Sequence, residues 1–338
     1  MKILVLGGTR FAGRAFVEQA VDAGHDTTIL HRSESDPLPD SVRRLRGDRD
    51  PDKGDGLGEI KKLTDAGERF DAVVDMCGYV PRVVRASCEL LKGHTDVYLF
   101  VSTISVYPRS ADGRPSEDWA YDRLEQLEDP SVEEVTGETY GGLKVLCEQV
   151  VDEMFGDRAI IPRPGIIAGP NDPTDRVTWW TRALTELDAV VIPEPEAAGL
   201  AQFIDARDVA AFFHRLIATG STGVFNAVGP EPGLSFHAFV NRTHAALDSD
   251  ARLLEAPAEW LDANDIKGSK DLPLWIGADA QSMFRVDYAK ALRHGLELRT
   301  LEETMRDIRA WDVQRGLPPL EAGMSLDRLA VLASKASS

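Results

Sequence analysis

The sequence predicts an α/β fold, a doubly wound parallel sheet followed by a smaller and mostly helical domain. The chain opens on the continuous apolar run KILVLG, which is typical of a parallel strand buried on both faces. Strand-like and helix-like segments then alternate up to residue 165, and such alternation requires right-handed crossovers between parallel strands. The weaker alternation beyond that residue indicates the second domain.

Local signals justify each element of the first part in turn. RAFVEQAVDAG has apolar residues at helical spacing and closes on Gly24, a typical helix stop. The runs DTTILH, VRRLRGD, FDAVVDMCG and DVYLFVSTISVY have strand character, and GLGEIKKLTDAG and PRVVRASCELLKG are predicted helices between some of them. TYGGLKVLCEQVVDEMFG is a predicted amphipathic helix, and AIIPRPGIIAGP is a predicted strand that runs into a loop. This order predicts a Rossmann-type sheet.

The same pattern predicts where the domains begin and end. We expect residues 1–165, together with 201–228, to form the Rossmann-type domain, because GLAQFIDARDVAAFFHRLIAT and GVFNAVG add another helix and further strands. Residues 166–200 and 229–318 are expected to form the smaller, substrate-binding domain. The C-terminal tail, residues 319–338, contains one more predicted helix, SLDRLAVLAS.

Composition excludes several classes of function. The 338 residues carry a formal net charge of −18, whereas nucleic-acid and anionic-membrane partners need clustered positive charge. Cys77, Cys88 and Cys147 are odd in number and lack metal-ligand spacing, so we expect buried free thiols and no metal site. The sequence has no signal-peptide pattern and no apolar run of membrane-spanning length. We therefore expect a soluble cytoplasmic protein that binds a small molecule. Whether two copies of the chain form a homodimer stays open at this point.

The first predicted strand ends in a glycine-rich turn, GGTRFAG, that leads into the first helix. A strand, such a turn and a helix place backbone N–H groups and a helix N-terminus where they can bind a pyrophosphate. The first glycine permits the tight turn, the second a close approach of the backbone, and the third close packing of the helix on the sheet. The expected dinucleotide-binding residues of this turn are Gly7, Gly8, Thr9, Arg10, Phe11 and Gly13.

The end of the second strand, TILHRSE, determines which dinucleotide is expected. An NAD site usually carries Asp or Glu there, which accepts hydrogen bonds from the ribose hydroxyls. This chain has His31 and Arg32 instead, with no carboxylate until Glu34. A guanidinium matches a phosphate in charge and in donor geometry, and Arg10 lies in the loop that faces the same strand end. The first domain is therefore expected to bind NADP(H) rather than NAD(H).

A tyrosine and a lysine in TYGGLKVL form a candidate acid–base pair. Tyr140 and Lys144 lie one helical turn apart and so share a face. Because a phenol has a reference pKa of about 10, it needs a nearby ammonium to exchange protons near neutrality. VSTISVY ends a predicted parallel strand, where ligands bind in folds of this type. Thr103 in that segment is expected to hold a substrate oxygen beside the tyrosine, and Ser102 and Ser105 are the alternatives.

Together these motifs resemble the short-chain dehydrogenase/reductase superfamily, in its extended and atypical branch of NAD-dependent epimerase/dehydratase-like proteins. The resemblance covers about residues 1–310 and rests on the glycine loop, RGDRD, VSTISVY, YGGLK, RPGIIAGP and FIDARDVA. It implies that Thr103, Tyr140 and Lys144 are catalytic and that Lys144 also binds the nicotinamide ribose. The further cofactor contacts that it implies are Asp48 near the adenine, Cys77 and Gly78 after the fourth strand, Ser102, Pro164 beside the nicotinamide, and Ile166 and Ile167, whose backbone would touch the carboxamide.

The chain also departs from the family at positions that bear on the substrate. Members that act on nucleotide-diphosphate sugars carry an arginine just before the segment that resembles FIDARDVA, whereas this chain has Ala201 beside Gln202. Sugar 4,6-dehydratases place an Asp–Glu pair after the catalytic threonine, where this chain has Ile104 and Ser105. GGTRF and GDRD also resemble chloroplast stem-loop-binding proteins, some of which handle RNA, a role that the acidic charge disfavours.

The leading hypothesis is therefore an NADPH-dependent carbonyl reductase, in which the nicotinamide delivers hydride and Tyr140 delivers the proton. Lys144 would lower the pKa of the tyrosine, and Thr103 would orient the carbonyl group. The alternative is a sugar epimerase or dehydratase that keeps its nicotinamide bound through a cycle of oxidation and reduction. A non-catalytic NADP-binding or RNA-binding scaffold is the third hypothesis.

The substrate is expected to contact segments outside these motifs. Its pocket would draw on segments such as VTWWTRAL and DLPLWIGADAQSMF. Their tryptophans, Trp179, Trp180 and Trp275, either stack on a substrate ring or fill the core, and we expect them to fill the core because large aromatic side chains usually pack there.

Overall fold

The computed structural model describes residues 1–33, 38–108, 114–230, 233–277 and 284–337. Glu34 and residues 278–283 of DLPLWIGADAQSMF, both used in the sequence analysis, lie outside the described residues. The internal contacts divide the chain into two units. The first unit comprises Met1–Gly165, Arg207–Ala227 and Val286–Glu297, and the second comprises Ile166–Ala206, Val228–Arg285 and Leu298–Ser338.

Strands form where short apolar runs are buried between neighbours. In the first strand, Ile3, Leu4, Val5 and Leu6 have no exposed surface. The strands in chain order are β1 (Lys2–Leu6), β2 (Asp26–His31), β3 (Arg43–Arg46), β4 (Phe70–Asp75), β5 (Thr95–Phe100), β6 (Ala159–Pro164), β7 (Ile167–Ala168), β8 (Ala189–Pro193), β9 (Ile204–Asp205), β10 (Gly223–Ala227) and β11 (Arg252–Ala256).

Helices follow most of these strands. In chain order they are α1 (Phe11–Asp22), α2 (Gly56–Asp65), α3 (Pro81–Leu91), α4 (Tyr140–Phe155), α5 (Thr178–Glu186), α6 (Pro195–Ala198), α7 (Ala206–Thr219), α8 (Phe236–Ala246), α9 (Ala258–Ala263), α10 (Gly268–Asp271), α11 (Ala289–Arg293), α12 (Leu301–Gln314) and α13 (Leu326–Ala336). Local sequence sets several of their starts. Pro81 opens α3, where its missing N–H costs nothing, and Thr300 caps α12 in a capping box with Glu303.

In the described part of the first unit, seven strands form one sheet in the order β10-β6-β5-β4-β1-β2-β3, with parallel pairing throughout. Val5 of β1 lies opposite Ile29 of β2 on one side and opposite Val74 of β4 on the other. The strand order reverses at β1, so the carboxyl ends of β1 and β4 border the crevice in which ligands bind in such sheets. The predicted doubly wound, Rossmann-type fold is confirmed.

Cysteines and aromatic residues contribute to the core on which this sheet packs. Tyr98 of β5 stacks on Phe155 of α4 with 4.6 Å between ring centroids. Cys88 and Cys147 are buried free thiols, as expected. Cys77 is also a free thiol, but it is only partly buried, which differs from the expectation because it lies in a turn rather than on a core face of a helix.

The second unit is mostly helical, as predicted. Its described strands form two short parallel pairs, β8 with β11 and β7 with β9. Helices α5 and α12 are joined by a buried ion pair, in which Arg182 Nη2 lies 2.6 Å from Asp312 Oδ1. Arg315 Nε also donates to Asp312 at 2.8 Å, so this buried carboxylate is fully compensated by guanidinium groups.

The three tryptophans that were candidates for a substrate pocket lie in the core of the second unit. Trp179 and Trp180 have no exposed surface, and Trp275 is 8% exposed. Each indole N–H is satisfied by a backbone carbonyl; that of Trp180, for example, donates to Pro273 at 2.6 Å. The core interpretation is therefore the one that the structure supports.

Two boundaries differ from those predicted. Residues 201–206 belong to the second unit rather than the Rossmann-type domain, because β9 pairs with β7 and not with the main sheet. Residues 286–297 belong to the first unit, since α11 returns to the edge strand β10, where Lys290 Nζ donates to the carbonyl of Val224 at 2.7 Å. Contacts between segments distant in sequence determine to which unit residues 201–206 and 286–297 belong. The local periodicity of the sequence does not predict such contacts.

The C-terminal tail, residues 319–338, is part of the second unit rather than a separate segment. The predicted helix is present as α13, and it buries Leu329 and Leu332 in the core of the unit. The segment before it is fixed as well, because the indole N–H of Trp179 donates to the carbonyl of Met324 at 2.8 Å.

Within the described ranges, the helices are too short or too polar for any of them to cross a lipid bilayer.

The role of α13 can be measured with a matched pair of substitutions. Leu329→Ala should lower the free energy of unfolding by about 2–5 kcal/mol, because it leaves a cavity in the core of the second unit. Val331 lies on the same helix but is 58% exposed. Val331→Ala should therefore change the free energy by less than about 0.5 kcal/mol. Urea unfolding followed by circular dichroism measures both free energies. A loss for Leu329→Ala as small as that for Val331→Ala would show that α13 contributes nothing to the core.

Candidate active site

The turn after β1 has a backbone that requires glycine at two successive positions. Gly7 and Gly8 have φ angles of 91° and 92°, a region that residues with a Cβ rarely adopt. The N–H of Gly7 donates to the carbonyl of Leu30 at 2.8 Å, so the turn is bonded to the end of β2. The chain thus reverses sharply from β1 into α1 beside the second strand.

Close packing of α1 on β1 excludes side chains at Gly8 and Gly13. A Cβ added to Gly8 would lie 2.9 Å from Val5 Cγ1, and one added to Gly13 would lie 2.8 Å from the Cα of Gly8. Both separations are shorter than real Cβ atoms tolerate. The N-terminus of α1 is therefore held against the turn, and this backbone cradle fits a pyrophosphate group.

The residues after the glycines connect the turn to the second strand. Thr9 Oγ1 and Ser33 Oγ lie 3.3 Å apart, which brings the turn to the segment after β2. Arg10 precedes α1 and is exposed, and Phe11, the first residue of α1, has a φ of 46°, which is unusual for a residue with a Cβ. Thr9 and Ser33 are in contact, and Arg10 follows the first of them while Arg32 precedes the second.

Arg32 is paired with Asp48. Its Nη1 lies 3.1 Å from Asp48 Oδ2, and its side chain is 75% exposed. Asp48 Oδ1 also accepts the N–H of Asp50 at 2.9 Å, which fixes the carboxylate in the loop after β3. His31, the last residue of β2, is buried. The structure thus brings together Arg32 and Asp48, which the sequence analysis assigned to different parts of one cofactor.

A buried ion pair ties the RGDRD segment to the end of β4, and the sequence analysis missed it. Arg49 Nη1 lies 2.5 Å from Asp75 Oδ1, and Arg49 Nη2 donates to Ser87 Oγ at 2.8 Å. Tyr98 donates from its hydroxyl to Asp75 Oδ2 at 2.9 Å, and the N–H of Cys77 donates to Asp75 Oδ1 at 3.2 Å. The sequence did contain a signal for this ion pair, because an aspartate, Asp75, ends the apolar run FDAVVD.

The turn after β4 lies against the glycine turn. A Cβ on Gly7 would lie 3.3 Å from Cys77 Sγ, and the Cys77 thiol donates to the carbonyl of Leu6 at 3.4 Å. Burial raises the pKa of the Cys77 thiol, so it packs here as a neutral group. Gly78 has no room for a side chain, because a Cβ there would lie 2.6 Å from Phe100 Cε2. Of the two predicted residues of this turn, Cys77 thus packs against the glycine turn and Gly78 against the ring of Phe100.

Lys144 is buried where β4 and β5 end. Its Nζ donates to the carbonyl of Gly78 at 2.7 Å and to that of Val101 at 2.8 Å. Only 3% of the residue is exposed, and this burial lowers the pKa of Lys144. Tyr140 lies one turn earlier on α4 and is partly exposed. A buried ammonium and an accessible phenol therefore share one face of the helix.

Thr103 lies in the turn against which α4 begins. Its Oγ1 accepts the N–H of Ser105 at 3.1 Å and donates to Ser105 Oγ at 3.3 Å. A Cβ on Gly141 would collide with the carbonyl oxygen of Ser105. Glycine immediately after Tyr140 therefore lets the start of the helix contact the turn that carries the predicted substrate-binding hydroxyl groups.

Ser102 has a structural partner inside the first unit. Its hydroxyl donates to Glu148 Oε1 at 2.5 Å, and Arg163 donates to both oxygens of Glu148, at 2.9 and 2.6 Å. Arg163 also donates to the hydroxyl of Tyr107 at 2.9 Å, and that hydroxyl donates to Asn226 Oδ1 at 2.9 Å. All five side chains are buried, and together they connect β5, α4, β6 and β10.

Glu148 was missed by the sequence analysis although a signal was present. Tyr140, Lys144 and Glu148 recur at intervals of four residues, which places all three on one face of α4. The ion pair between Glu148 and Arg163 fixes the end of β6, where Pro164 is the last residue. A carboxylate four residues after Lys144 therefore predicts a buried ion pair on the face of α4 that carries Tyr140 and Lys144.

Other predicted site residues belong to the second unit. Ile166 and Ile167 lie beside β9, and the carbonyl of Ile166 accepts the N–H of Ile204 at 2.8 Å. Ala201 and Gln202, which stand where some relatives carry an arginine, are buried in this unit at 2% and 4% exposure. Among the residues that the structure describes, no group of three or more His, Cys, Asp or Glu side chains could hold a metal ion.

Comparison with models of protein families shows to which family the chain belongs. A family model described as "NAD dependent epimerase/dehydratase family" matches residues 3–228. The chain belongs to this family. The match covers the glycine turn, the Tyr140 and Lys144 pair and β10, and it confirms the resemblance inferred from the motifs.

Two curated relatives match only parts of the chain. The bifunctional pinoresinol-lariciresinol reductase of Linum corymbulosum is 52% identical over 33 residues, 10% of this chain and 10% of that protein. The chloroplast stem-loop binding protein of 41 kDa b of Arabidopsis thaliana is 31% identical over 121 residues, 32% of this chain and 31% of that protein. The matched segments thus span well under half of either relative.

Solved structures share the fold over nearly the whole chain. UDP-N-acetylglucosamine 4-epimerase from Bacillus cereus is similar with a TM-score of 0.65 and 19% identity, covering 94% of this chain and 100% of that one. The complex of Thermus thermophilus UDP-glucose 4-epimerase with NAD is similar with a TM-score of 0.63 and 18% identity, again covering 94% and 100%. At this identity the likeness establishes the fold.

Two glutamates of α4 allow a controlled test of the buried network. Glu148 is fully buried against Arg163, whereas Glu153 is 59% exposed and pairs with Arg85. Glu148→Gln leaves a buried guanidinium uncompensated and should lower the free energy of unfolding by about 3–5 kcal/mol. Glu153→Gln should cost less than about 1 kcal/mol. Urea denaturation measures both, and similar losses would contradict the role given to Glu148.

Proposed function

We propose that this protein is an NADPH-dependent oxidoreductase that reduces a carbonyl group of a small molecule. The observation that carries the proposal is the buried ammonium of Lys144, which neutral carbonyls hold one helical turn from Tyr140. A positive charge there stabilises a phenolate, so Tyr140 can release and regain a proton near neutral pH. The bound cofactor would supply the hydride.

The cradle after β1 supports dinucleotide binding. A Cβ at Gly7, Gly8 or Gly13 would press on the residues packed behind the turn, so the three glycines let the turn and the N-terminus of α1 form one compact backbone cradle. Such a cradle offers backbone N–H groups to a pyrophosphate. Cys77 and Gly78 would border the same ligand from the turn after β4. The fit is to a dinucleotide in general, and the family of the chain agrees with it.

Arg10 and Arg32 favour NADP(H) over NAD(H). Arg32 is paired with Asp48, whose side chain is 18% exposed, but the Arg32 side chain is 75% exposed, and ion pairs with an exposed partner are worth only about 0–1 kcal/mol. A 2′-phosphate offers a guanidinium more negative charge and bidentate acceptors. Arg32 can therefore leave Asp48 at little cost when such a phosphate is bound. The carboxylate of Asp48 would then be free to accept from the adenine.

The proposed chemistry uses three side chains of the first unit. Tyr140 would donate its hydroxyl proton to the carbonyl oxygen of the substrate as negative charge develops there. Thr103 would turn its hydroxyl proton from Ser105 Oγ to the same oxygen and so orient the carbonyl group. Lys144 would stabilise the phenolate that remains, until solvent returns a proton to it.

Features of the second unit argue against nucleotide-diphosphate sugars. Ala201 stands where the resembling enzymes place an arginine, and the neighbouring Gln202 is buried and neutral. The cations nearest in the sequence are Arg163, Arg176 and Arg207. Arg163 is committed to Glu148 in the first unit and cannot leave without uncompensating a buried carboxylate, so only the other two remain to bind a diphosphate. Desolvating two phosphate charges without a cation costs several kcal/mol. A neutral, partly apolar carbonyl compound suits these residues better.

An epimerase or dehydratase is the second candidate function. The family includes such enzymes by its description, and the two solved structures above are named as epimerases. Such an enzyme would use the same acid–base pair, but the hydride removed from its substrate would be returned to the oxidised intermediate, with no net consumption of cofactor. An RNA-binding role, suggested by the name of one relative, is opposed by the formal net charge of −18.

Cofactor preference is the first test. We expect the protein to bind NADPH more tightly than NADH by about 2 kcal/mol, roughly 30-fold in Kd, because charge-assisted hydrogen bonds to phosphate have this scale. Arg32→Asp should narrow or reverse the preference. Arg43→Asp is the control, since Arg43 is also an exposed arginine paired with a carboxylate, that of Glu68. Fluorescence titration measures each Kd, and equal values for the unsubstituted protein would contradict the proposal.

The acid–base pair is the second test. With a ketone found by screening NADPH oxidation, Tyr140→Phe should lower kcat by about 100-fold or more while leaving NADPH binding nearly intact. Lys144→Ala should weaken both turnover and cofactor binding. Tyr121→Phe, a phenol with no proposed role, serves as the control. Normal turnover by the Tyr140→Phe protein would remove this residue from the mechanism.

The substrate class is the third test. Because Ala201 offers no cation for a diphosphate, UDP-, GDP- and dTDP-sugars should not bind to the NADP-loaded protein below millimolar concentration. Calorimetric titration with each sugar measures this directly, and absorbance reports any change in the redox state of the bound nicotinamide. Micromolar binding of any one of them would favour the epimerase and contradict the reductase.

A further inference from the structure

The turn between β4 and α3 places an aromatic side chain, Tyr79, against the ammonium of Lys144. Lys144 Nζ lies 4.6 Å from the centroid of the Tyr79 ring and 4.8 Å from that of Phe100. Both distances fall within the range of about 6 Å over which the face of a ring attracts a cation. The ammonium therefore has two rings as partners besides its two carbonyl acceptors.

The backbone holds Tyr79 in this place. Gly78, immediately before it, has no room for a Cβ, and its carbonyl accepts the hydrogen bond from Lys144 Nζ at 2.7 Å. Pro81, two residues after it, is the first residue of α3 and has a fixed φ. The ring of Tyr79 is thus carried by a segment that is itself bonded to the lysine.

Tyr79 also lies beside Tyr140. The two ring centroids are 6.4 Å apart at an interplanar angle of 39°, and 43% of Tyr79 is exposed. Partial burial, followed by the neighbouring Tyr140, raises the pKa of Tyr79, so this phenol stays neutral in the range where an acid–base tyrosine has to work. Tyr79 is therefore a neutral ring between solvent and the pair formed by Tyr140 and Lys144.

The other titratable groups near Lys144 do not supply a counter-charge of their own. Burial raises the pKa of Cys77, and it raises that of Cys147 to about 12, so both thiols are neutral. Asp75 and Glu148 act on Lys144 only through space, and each of these carboxylates is bonded to a buried arginine. The direct partners of the ammonium that the structure describes are two carbonyls and two rings, all neutral.

We propose that Tyr79 is a positioning residue whose ring binds the Lys144 ammonium and keeps that charge beside Tyr140 without adding a negative charge. The proposal deepens the proposed function and rests on it for the role of Tyr140. A carboxylate in the same place would also stabilise the ammonium, but it would cancel the positive field that acts on the phenol. A ring stabilises the cation through its quadrupole and remains neutral. Tyr79 thus maintains the full charge of a buried lysine.

The test is an NMR titration that needs neither substrate nor cofactor. In protein labelled with ¹³C at the lysine ε-carbons, the Lys144 signal is assigned by its loss in Lys144→Arg. Tyr79→Leu removes the ring and keeps apolar bulk, and it should lower the titration midpoint of Lys144 by about one pH unit or more. Tyr79→Phe keeps the ring and should leave the midpoint unchanged. Tyr79→Trp, with a stronger cation-binding face, should leave it unchanged or raise it.

Each remaining outcome overturns the proposal. An unchanged or raised midpoint in Tyr79→Leu would show that the ring gives the ammonium no stabilisation. A shift in Tyr79→Phe as large as that in Tyr79→Leu would assign the effect to the hydroxyl group. If the leucine variant does not fold, a lowered midpoint in both Tyr79→Phe and Tyr79→Trp contradicts the proposal. Failure of the proposed reductase activity, by contrast, appears as absence of NADPH consumption in the unsubstituted protein and leaves this titration intact.

Discussion

The buried charges on one face of α4 are the constraint on which the rest of the first unit depends. Lys144 and Glu148 lie one turn apart on this helix, and both are buried. A buried charge without partners costs several kcal/mol, so each must be matched by groups on the sheet. Lys144 is bound by the carbonyls of Gly78 and Val101, and Glu148 is bound by Arg163. One helix is thereby anchored at the ends of β4, β5 and β6.

The two charges are compensated by different kinds of partner, and under the proposed function this difference distinguishes a residue of the acid–base chemistry from a structural one. Glu148 is paired with the guanidinium of Arg163, so the pair carries no net charge and joins α4 to β6. Lys144 has only neutral direct partners in the described structure, so its positive field persists around Tyr140. The same division holds at the other end of the site. The buried pair of Arg49 and Asp75 fixes the turn after β4, while the cradle after β1 contributes uncharged backbone.

Features carried by short sequence patterns were the ones that could be predicted. Apolar runs and helical spacing indicated the parallel sheet, the turn of Gly7, Gly8 and Gly13 follows from backbone sterics, and the spacing of Tyr140 and Lys144 places them on one face. Contacts between distant segments escaped prediction. In the sequence, Arg163 is an ordinary arginine near the end of a strand. Its partner Glu148, fifteen positions earlier, is identified only by the packing of α4 on β6. The return of residues 286–297 to the first unit has no local signature either.

The return of residues 286–297 to the first unit affects the order in which the chain can fold. The chain passes from one unit to the other after residues 165, 206, 227, 285 and 297, so neither unit is a continuous stretch. As the polypeptide leaves the ribosome, β1 to β6 emerge first, but their edge partner β10 arrives only after part of the second unit, and α11 later still. Until then the edge of β6 has unpaired backbone groups, which are prone to association with other chains. Productive folding of the nucleotide-binding half is therefore deferred until much of the second unit has been translated.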